Sequence, residues 1–295
     1  MKLISWNIQW GLGADGRLDL GRIVREARRM ADFDVLCLQE VADNLPELES
    51  SLGENQFVEL ARLLPEYTAV GGAATDVLGR DGRRARFGNL LFSRYPVLRA
   101  VRHNFPWMPE RGSAVKSMAR NAVEAVIALP CGPLRVMTTH LEAYSKAQRS
   151  VQIERLREAH HFACGRARKP FVDGTGPFAQ TLETMATVLC GDFNMKPQDP
   201  LLAGLLEPFP RVSGIATPRF FDAWRVAHPK AAHPGSAYVH PRTDAKPTGK
   251  AKRPYCCDYT FVSANLRARV SGIEYESQTQ ASDHQPMILT LADAK

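Results

Sequence analysis

Several apolar runs in the sequence end in polar side chains of types that can do chemistry. Strand ends are where a rigid sheet can aim side chains into a shared cleft, so these positions are candidates for one site. Two further groups lie near the C-terminal end, one at the start of a strand and one just before the last strand. The candidates are Asn7, Glu40, His140, Asp192, Asn194, Asp258, Asp283 and His284.

This inventory of carboxylates, carboxamides and two histidines suits phosphoryl chemistry. A hard Mg²⁺ ion prefers carboxylate and carbonyl oxygens, and it can neutralise charge that builds on a phosphate. Covalent serine catalysis fits less well, because the sequence has no Gly-x-Ser-x-Gly elbow. Ser282, Asp283 and His284 are also too close in sequence to form a triad by themselves.

Six short motifs in the same order resemble the endonuclease/exonuclease/phosphatase superfamily, and together they span nearly the whole chain. Any one of them alone is a weak signal, whereas six in order are a strong one. The motifs are Trp6-Asn7, Leu38-Gln39-Glu40, Thr139-His140-Leu141, Gly191-Asp192-Phe193-Asn194, Asp258-Tyr259-x-Phe261 and Ser282-Asp283-His284.

The resemblance implies a metal site around Glu40. Glu40 is expected to be the principal ligand, with Asn7 and Asp283 close to the ion. The expected cofactor is Mg²⁺, with Mn²⁺ as a possible substitute.

The resemblance also implies roles for the remaining polar residues. Asp192 is expected to position or deprotonate the attacking water, and Asn194 to donate to a phosphoryl oxygen. His284, oriented by Asp258, is expected to act as acid/base or transition-state stabiliser, and His140 to contact a phosphate oxygen. Which group takes the proton stays open.

Two segments resemble tyrosyl-DNA phosphodiesterases locally, namely Met118-Ala119-Arg120-Asn121 and Thr138-Thr139-His140-Leu141-Glu142. Arg120 is therefore a candidate for a second phosphate contact. The function expected is metal-dependent hydrolysis of a phosphodiester, in nucleic acid rather than lipid, by in-line attack of water. The alternatives are a phospholipid or small-phosphoester hydrolase and a non-catalytic nucleic-acid-binding relative.

Hydrophobic patterning predicts the elements that hold these residues. A first strand ends at Asn7, a helix covers Asp19 to Met30, and a long helix covers Ser145 to Ala163. Further strands are expected at 35–38, 67–70, 90–92, 122–129, 134–139, 188–190, 259–262 and 287–291. Polar or Gly/Pro-rich loops are expected at 71–88, 103–117, 165–187 and 228–254.

Because the expected site draws on both ends and the middle of the chain, we expect residues 1–295 to form a single domain. The resemblance implies its fold class, α/β (α+β): a four-layered α/β sandwich in which two packed mixed β-sheets are flanked by helices.

Composition sets broader bounds on the protein. No apolar stretch approaches the roughly 20 residues needed to span a bilayer. The six cysteines show no disulfide-framework spacing, which favours a reducing cytoplasm. The formal charge of +7 favours phosphate-bearing partners and also fits an ordinary basic surface.

Three other patterns allow rival interpretations. Gly11-Leu12-Gly13-Ala14-Asp15-Gly16 spells the dinucleotide-binding fingerprint, although four residues separate it from the strand. A zinc cluster at His160, His161 and Cys164 is disfavoured, because neighbouring helical histidines point apart.

Two basic segments could grip a polyanion or simply be solvated. They contain Arg80, Arg83, Arg84 and Arg86 in the first, and Arg242, Lys246, Lys250, Lys252 and Arg253 in the second. Phe105, Trp107 and Met108 could stack on a base, touch lipid or cover the core.

Overall fold

The structure, a computed structural model, describes residues 1–107, 116–168, 176, 182–210, 214, 216–242 and 253–293. These residues contain two six-stranded sheets with helices packed on their outer faces. The strands are β1 (Lys2–Asn7), β2 (Val35–Asp43), β3 (Thr68–Leu78), β4 (Arg84–Ser93), β5 (Val97–Asn104), β6 (Asn121–Leu129), β7 (Gly132–His140), β8 (Thr187–Asp192), β9 (Phe220–Asp222), β10 (Asp258–Ser263), β11 (Val270–Tyr275) and β12 (Met287–Leu291). The helices are α1 (Leu20–Met30), α2 (Gln56–Leu63), α3 (Lys146–Arg168), α4 (Pro200–Leu206) and α5 (Ala223–Ala227).

The two sheets have different strand orders and each is mixed. The first sheet runs β11-β12-β1-β2-β4-β3, and its one parallel pair is β1 with β2. The second runs β5-β6-β7-β8-β10-β9, and its one parallel pair is β7 with β8. The predicted α/β sandwich with two mixed sheets is therefore confirmed.

The four layers follow from alternation along the strands. In β1, Leu3 faces the second sheet, whereas Ile4 packs under the helices of the first sheet. In β8, Val188 faces the first sheet and Leu189 packs toward the helices on the other side. Since successive side chains point to opposite faces, each sheet buries one face against the other sheet and one against helices.

Helix α1 illustrates how the flanking layer is encoded. Asp19 caps it, because its side-chain oxygen accepts a hydrogen bond from the Arg22 main-chain N–H at 2.8 Å. Its buried residues recur at helical spacing and pack on β1 and β2; they are Leu20, Ile23, Val24 and Ala27. No described helix is long and apolar enough to cross a membrane.

The loop predicted over 71–88 was wrong, because this segment belongs to the β3–β4 hairpin. Its glycines mark close strand approach: an added Cβ on Gly88 would overlap the Gly72 carbonyl oxygen. Strand β3 is also an edge strand with many exposed side chains, so its composition is that of a loop. The other predicted strands appear in the structure, several with longer bounds.

The remaining loop predictions hold only in part. Helix α3 continues beyond the predicted end to Arg168, and β5 extends into the 103–117 segment. The sequence patterns described above do not predict several short elements, namely α2, α4, α5, β5, β9 and β11. Met108 and Lys246, Lys250 and Lys252 lie outside the described residues.

The residues of the rejected zinc cluster have other partners. His160 is a buried residue of α3; its Nδ1 lies 2.7 Å from an Arg135 guanidinium nitrogen, and its Nε2 lies 2.8 Å from the Pro218 carbonyl oxygen. His161 instead contacts the Thr217 hydroxyl at 2.6 Å. Burial and the Arg135 charge lower the pKa of His160 to about 3, so this imidazole is neutral.

We therefore expect His160 to make the fold acid-sensitive. Below about pH 6.5 the unfolded chain protonates this histidine, whereas the folded chain does not until the pH falls to about 3. The stability that His160 contributes is thus complete above pH ~6.5 and falls by about 1.4 kcal/mol per pH unit on acidification. Urea unfolding at a series of pH values should show a shallower pH slope for His160→Gln than for the natural chain. Phe162→Ala, an exposed change on the same helix, should keep the natural slope.

Candidate active site

Several strands end in polar residues, and the side chains of these residues lie on the faces that the two sheets turn toward each other. In β1 that face carries Leu3 in the core and ends with Asn7; in β8 it carries Val188 and Cys190 and ends with Asp192. The apolar layer between the sheets therefore changes to a polar edge at the ends of these strands.

Strand pairing sets two more candidates beside Asp192. His140, the last residue of β7, pairs with Asp192 in parallel register, and Asp258, the first residue of β10, pairs with it in antiparallel register. Alternation puts both side chains on the inner face, since Val136 and Val262 of the same strands pack between the sheets.

Glu40 reaches this edge through a β-bulge in β2. The register against β4 shifts between Leu38 and Val41, and Glu40 has a left-handed φ of 61°. In a regular strand Glu40 would share the face of Leu38, which packs under the helices. The bulge instead brings the Glu40 carboxylate to 3.0 Å from Asn7 Nδ2. A non-glycine residue in this conformation costs about 1–3 kcal/mol, so the surrounding structure must hold it.

One carboxylate oxygen, Oδ2 of Asp192, is the point where side chains from both sheets meet. It accepts a hydrogen bond from Asn7 Nδ2 at 3.1 Å and lies 3.5 Å from His140 Nε2 and 3.8 Å from His284 Nε2. The other oxygen, Oδ1, accepts from the Asn194 main-chain N–H at 2.8 Å. Burial, followed by repulsion from Asp258, raises the pKa of Asp192 to about 6.

His140 is held as a neutral imidazole. Asn194 Nδ2 donates to the Leu141 carbonyl at 3.0 Å and faces His140 Nε2 at 3.0 Å, so this ring nitrogen accepts. The ring proton then lies on Nδ1, which is 3.9 Å from Glu40 Oε1. Burial and the nearby Arg120 charge lower the pKa of His140 well below its usual range.

His284, unlike His140, is held as the cation. Burial disfavours its cation, but Asp258 and Asp192 outweigh this effect and raise its pKa well above the usual range. Its Nδ1 donates to Asp258 Oδ2 at 2.9 Å, which leaves Nε2 on the side of Asp192. Ser236 Oγ also donates to Asp258 Oδ2, at 2.6 Å.

The carboxylates of Glu40, Asp192 and Asp283 at this edge fit a divalent cation. Burial, followed by repulsion from Asp283, raises the pKa of Glu40 to about 7, and Asp192 adds to the repulsion. A cation would offset this crowding of negative charge, and carboxylate and amide oxygens are the donors that Mg²⁺ prefers.

Arg120 lies at the flank of the same edge. Its side chain is 7% exposed, and its Nε is 3.8 Å from Glu142 Oε2. Together with Met118 and His140 it lines a small depression. Burial lowers the pKa of Arg120, although Glu142 opposes the shift. A buried guanidinium beside the site is suited to a phosphate oxygen.

Two residues at the site were missed by the sequence analysis. Ser236, which holds Asp258, lies in a Gly/Pro-rich loop with no motif that would have identified it. Cys257 lies 3.4 Å from Asp258 Oδ2 and 4.0 Å from His284 Nδ1. Its position next to Asp258 in the sequence was a usable signal, because a strand start brings its neighbours to the same edge.

The Gly11–Gly16 segment is not a phosphate-binding turn. Gly13 donates its N–H to the Arg17 carbonyl at 3.0 Å, and the Arg22 guanidinium packs against Gly13, where a Cβ would overlap it. The segment is thus closed on itself before α1 begins, which contradicts the dinucleotide-binding interpretation.

The basic residues on the β3–β4 hairpin are balanced locally. Each of the four arginines contacts a carboxylate, the pairs being Arg80–Glu47 at 3.3 Å, Arg83–Asp81 at 2.7 Å, Arg84–Asp76 at 2.8 Å and Arg86–Asp43 at 3.2 Å. In the second basic segment, Arg242 contacts Glu49 at 2.7 Å. Phe105 is buried and covers the core, whereas Trp107 is about half exposed.

The family match over residues 4–284 supports a hydrolase that acts on phosphoesters, and the polar edge described above is consistent with it. The chain belongs to the Endonuclease/Exonuclease/phosphatase family, which it matches over residues 4–284. The family resemblance inferred from the six motifs is thereby confirmed. Members of this family generally use divalent metals.

Three similar proteins illustrate the breadth of that family. Human Sphingomyelin phosphodiesterase 2 is 26% identical over 178 residues, which cover 58% of this chain and only 37% of that protein. A mannosyl-6-phosphatase of Bacteroides thetaiotaomicron VPI-5482 has a TM-score of 0.66 at 15% identity, with 99% of each chain covered. A TDP2 of D. rerio, humanized by 14 mutations, has a TM-score of 0.59 at 16% identity, with 98% of each chain covered. At these identities the two structures show a shared fold.

Gly191, which precedes Asp192 in β8, is expected to be required for the pairing of β8 with β7. Its φ is 138°, and an added Cβ would overlap the Thr139 carbonyl oxygen of the neighbouring strand. Gly191→Ala should therefore destabilise the protein by more than about 3 kcal/mol or prevent folding. Gly204→Ala is the matched control, because the space around Gly204 in α4 is open and alanine favours a helix. Denaturant unfolding of both variants checks this, and equal stabilities would contradict it.

Proposed function

We propose that this protein is a divalent-metal-dependent phosphodiesterase that hydrolyses its substrate by in-line attack of water. The observation that carries the proposal is the convergence on Asp192 Oδ2 of Asn7, His140 and His284 from separate strands and loops. In this arrangement the Asp192 carboxylate can orient a water molecule, and the cationic His284 beside it can stabilise the negative charge of a phosphoryl group. Since these residues span most of the sequence, we propose that residues 1–295 form one domain.

Asn7, Glu40 and Asp283 would hold the metal, Mg²⁺ or Mn²⁺. When bound, such an ion neutralises charge on the phosphoryl oxygens. Glu40 is the central residue of the three, because the bulge in β2 directs its carboxylate to Asn7.

Asp192 is assigned to orient the attacking water and accept its proton. Its two oxygens are fixed by Asn7 and by the Asn194 main-chain N–H, so the carboxylate does not reorganise during the reaction. The neutral His140 is assigned to a phosphoryl oxygen through the proton on Nδ1, with Arg120 as a further phosphate contact at the flank. Asn194 Nδ2 already donates to the Leu141 carbonyl and to His140 Nε2, so the bond expected from Asn194 to a phosphoryl oxygen requires one of these two bonds to break when substrate binds.

His284 is assigned to stabilise the phosphoryl group or to protonate the leaving oxygen. The bond from Nδ1 to Asp258 fixes the ring orientation and favours the cation, and the proton on Nε2 is then available to substrate. Ser236 holds Asp258 in turn.

For the substrate we propose a phosphodiester of nucleic acid. Support comes from the formal charge of +7 and from the segments around Arg120 and His140 that resemble tyrosyl-DNA phosphodiesterases. The local pairing of the hairpin arginines weakens any role for that cluster, so the phosphate contacts proposed here are those of the site itself.

A phospholipid headgroup is the second candidate. It is favoured by the 26% identity to human Sphingomyelin phosphodiesterase 2. The half-exposed Trp107 offers one apolar side chain for a lipid surface.

A substrate panel tests the proposed activity. With Mg²⁺ or Mn²⁺, we expect hydrolysis of single- or double-stranded DNA, RNA or 5′-tyrosyl DNA. Chelation should abolish it, and Asp192→Asn should lower the rate by about 10²- to 10⁴-fold in a folded protein. Sphingomyelin vesicles, inositol phosphates and a simple phosphomonoester are assayed in parallel. Turnover confined to sphingomyelin would replace nucleic acid by lipid, and a lack of metal-dependent turnover on every phosphoester would refute the proposal.

A double-mutant cycle tests the coupling of His284 to Asp258. His284→Ala should lower kcat by about 10²- to 10⁴-fold, and Asp258→Asn should cause a smaller loss because it only disturbs the imidazole. Since both act through one ring, the double variant should be no slower than His284→Ala alone. Ser236→Ala should have an effect in the same direction as Asp258→Asn and smaller. Losses that add in log rate would show that the two residues act independently.

A further inference from the structure

Cys257 places a thiol among the groups assigned to proton transfer. The side chain is fully buried, and its Sγ lies 4.0 Å from His284 Nδ1. One ligand atom each from Asp192, Cys257 and His284 lies within 4.8 Å of the other two, and among the described residues no other three His, Cys, Asp or Glu side chains form such a close group.

The donor types of this group differ from those around Glu40. A carboxylate, an imidazole and a thiolate form a mixed set that a soft or borderline ion prefers, whereas Mg²⁺ prefers oxygen alone. Zinc bonds of about 2.0–2.3 Å in a tetrahedron require ligand atoms about 3.3–3.7 Å apart. The three side chains would therefore need to close by about 1 Å, which rotamer adjustments at a strand end and a loop can supply.

We propose that Asp192, Cys257 and His284 form an inhibitory site for a soft divalent cation such as Zn²⁺ or Cd²⁺, separate from the hard-cation site at Glu40. On binding, the thiol proton of Cys257 and one ring proton of the His284 cation go to solvent, and the metal cation takes up the sulfur, the freed imidazole nitrogen and one Asp192 oxygen. Binding of the cation does not depend on the proposed function, whereas the inhibition rests on it, because Asp192 and His284 are then no longer free to transfer protons.

The chain offers a matched control in the adjacent residue. Cys256 is also buried, but its Sγ donates to the Asp258 carbonyl oxygen at 3.5 Å and lies 3.8 Å from Tyr275 Oη. It packs with Tyr259 and Phe261 on the helix-facing side of the second sheet. Cys131 is exposed and would bind a soft ion on its own. All measurements are therefore made on the full chain carrying Cys131→Ser.

The binding experiment is a Cd²⁺ titration in excess Mg²⁺, followed by the ultraviolet absorption of the cadmium–thiolate bond. We expect the absorption to appear in the Cys131→Ser parent, to persist with Cys256→Ser and to be lost with Cys257→Ser. Asp192→Asn keeps the thiol and should weaken Cd²⁺ affinity by at least about tenfold, since even outer-shell partners are worth about 10- to 100-fold. This second variant keeps the test valid if Cys257→Ser does not fold. The same absorption and affinity in all variants would overturn the site.

The inhibition experiment measures turnover with Mg²⁺ against Cd²⁺ or Zn²⁺ concentration. The inhibitory concentration should rise by at least about tenfold in Cys257→Ser and stay unchanged in Cys256→Ser. Equal inhibition of Cys257→Ser and its parent would overturn the inhibitory role. Cys257-dependent Cd²⁺ absorption in a protein that hydrolyses no phosphoester would instead refute the proposed function and leave the metal site standing.

Discussion

A buried carboxylate is tolerated only where hydrogen-bond donors surround it, and Asp192 imposes that requirement on both sheets. Its donors come from β1 and from the segment after β8, so the sheets must meet in one relative position at this edge. Polar contacts nearby fix the same alignment. Gln39 Nε2 donates to Thr138 Oγ1 at 2.8 Å and Asn89 Nδ2 to Asn121 Oδ1 at 2.9 Å, and both bonds cross from one sheet to the other. The apolar layer supplies most of the burial, and these bonds supply its register.

The two site histidines show how the surroundings divide labour between identical side chains. His140 faces an amide nitrogen and a nearby guanidinium, which favour the neutral ring. His284 faces carboxylates, which favour the cation. Both imidazoles lie within 4 Å of Asp192 Oδ2, yet they differ in charge. The difference arises because the fold places different polar and charged groups beside each ring.

The sequence predicted the parts of the fold that have a regular pattern and the parts of the site that stand at strand ends. Apolar runs that end in a polar residue were sufficient to find Asn7 in β1 and Asp192 in β8, and capping with helical spacing was sufficient to find α1. The strands at 67–70 and 90–92 were predicted, but their continuation into the β3–β4 hairpin was missed, because an exposed edge strand with close-approach glycines has the composition of a loop. The left-handed φ of Glu40 has no local signal, since only pairing with β4 requires the bulge. Ser236 contributes through tertiary contact alone.

The place of β1 in the first sheet has a consequence for synthesis of the protein on the ribosome. One edge of β1 pairs with β2, which follows soon after it, but the other pairs with β12, the last of the described strands. Trp6 likewise donates through its indole to the His284 carbonyl, 278 positions away. A growing chain therefore carries an open strand edge until β12 emerges, and such an edge can pair with other chains. Protection of that edge during translation, by a chaperone or by rapid completion, is a requirement that the topology itself creates.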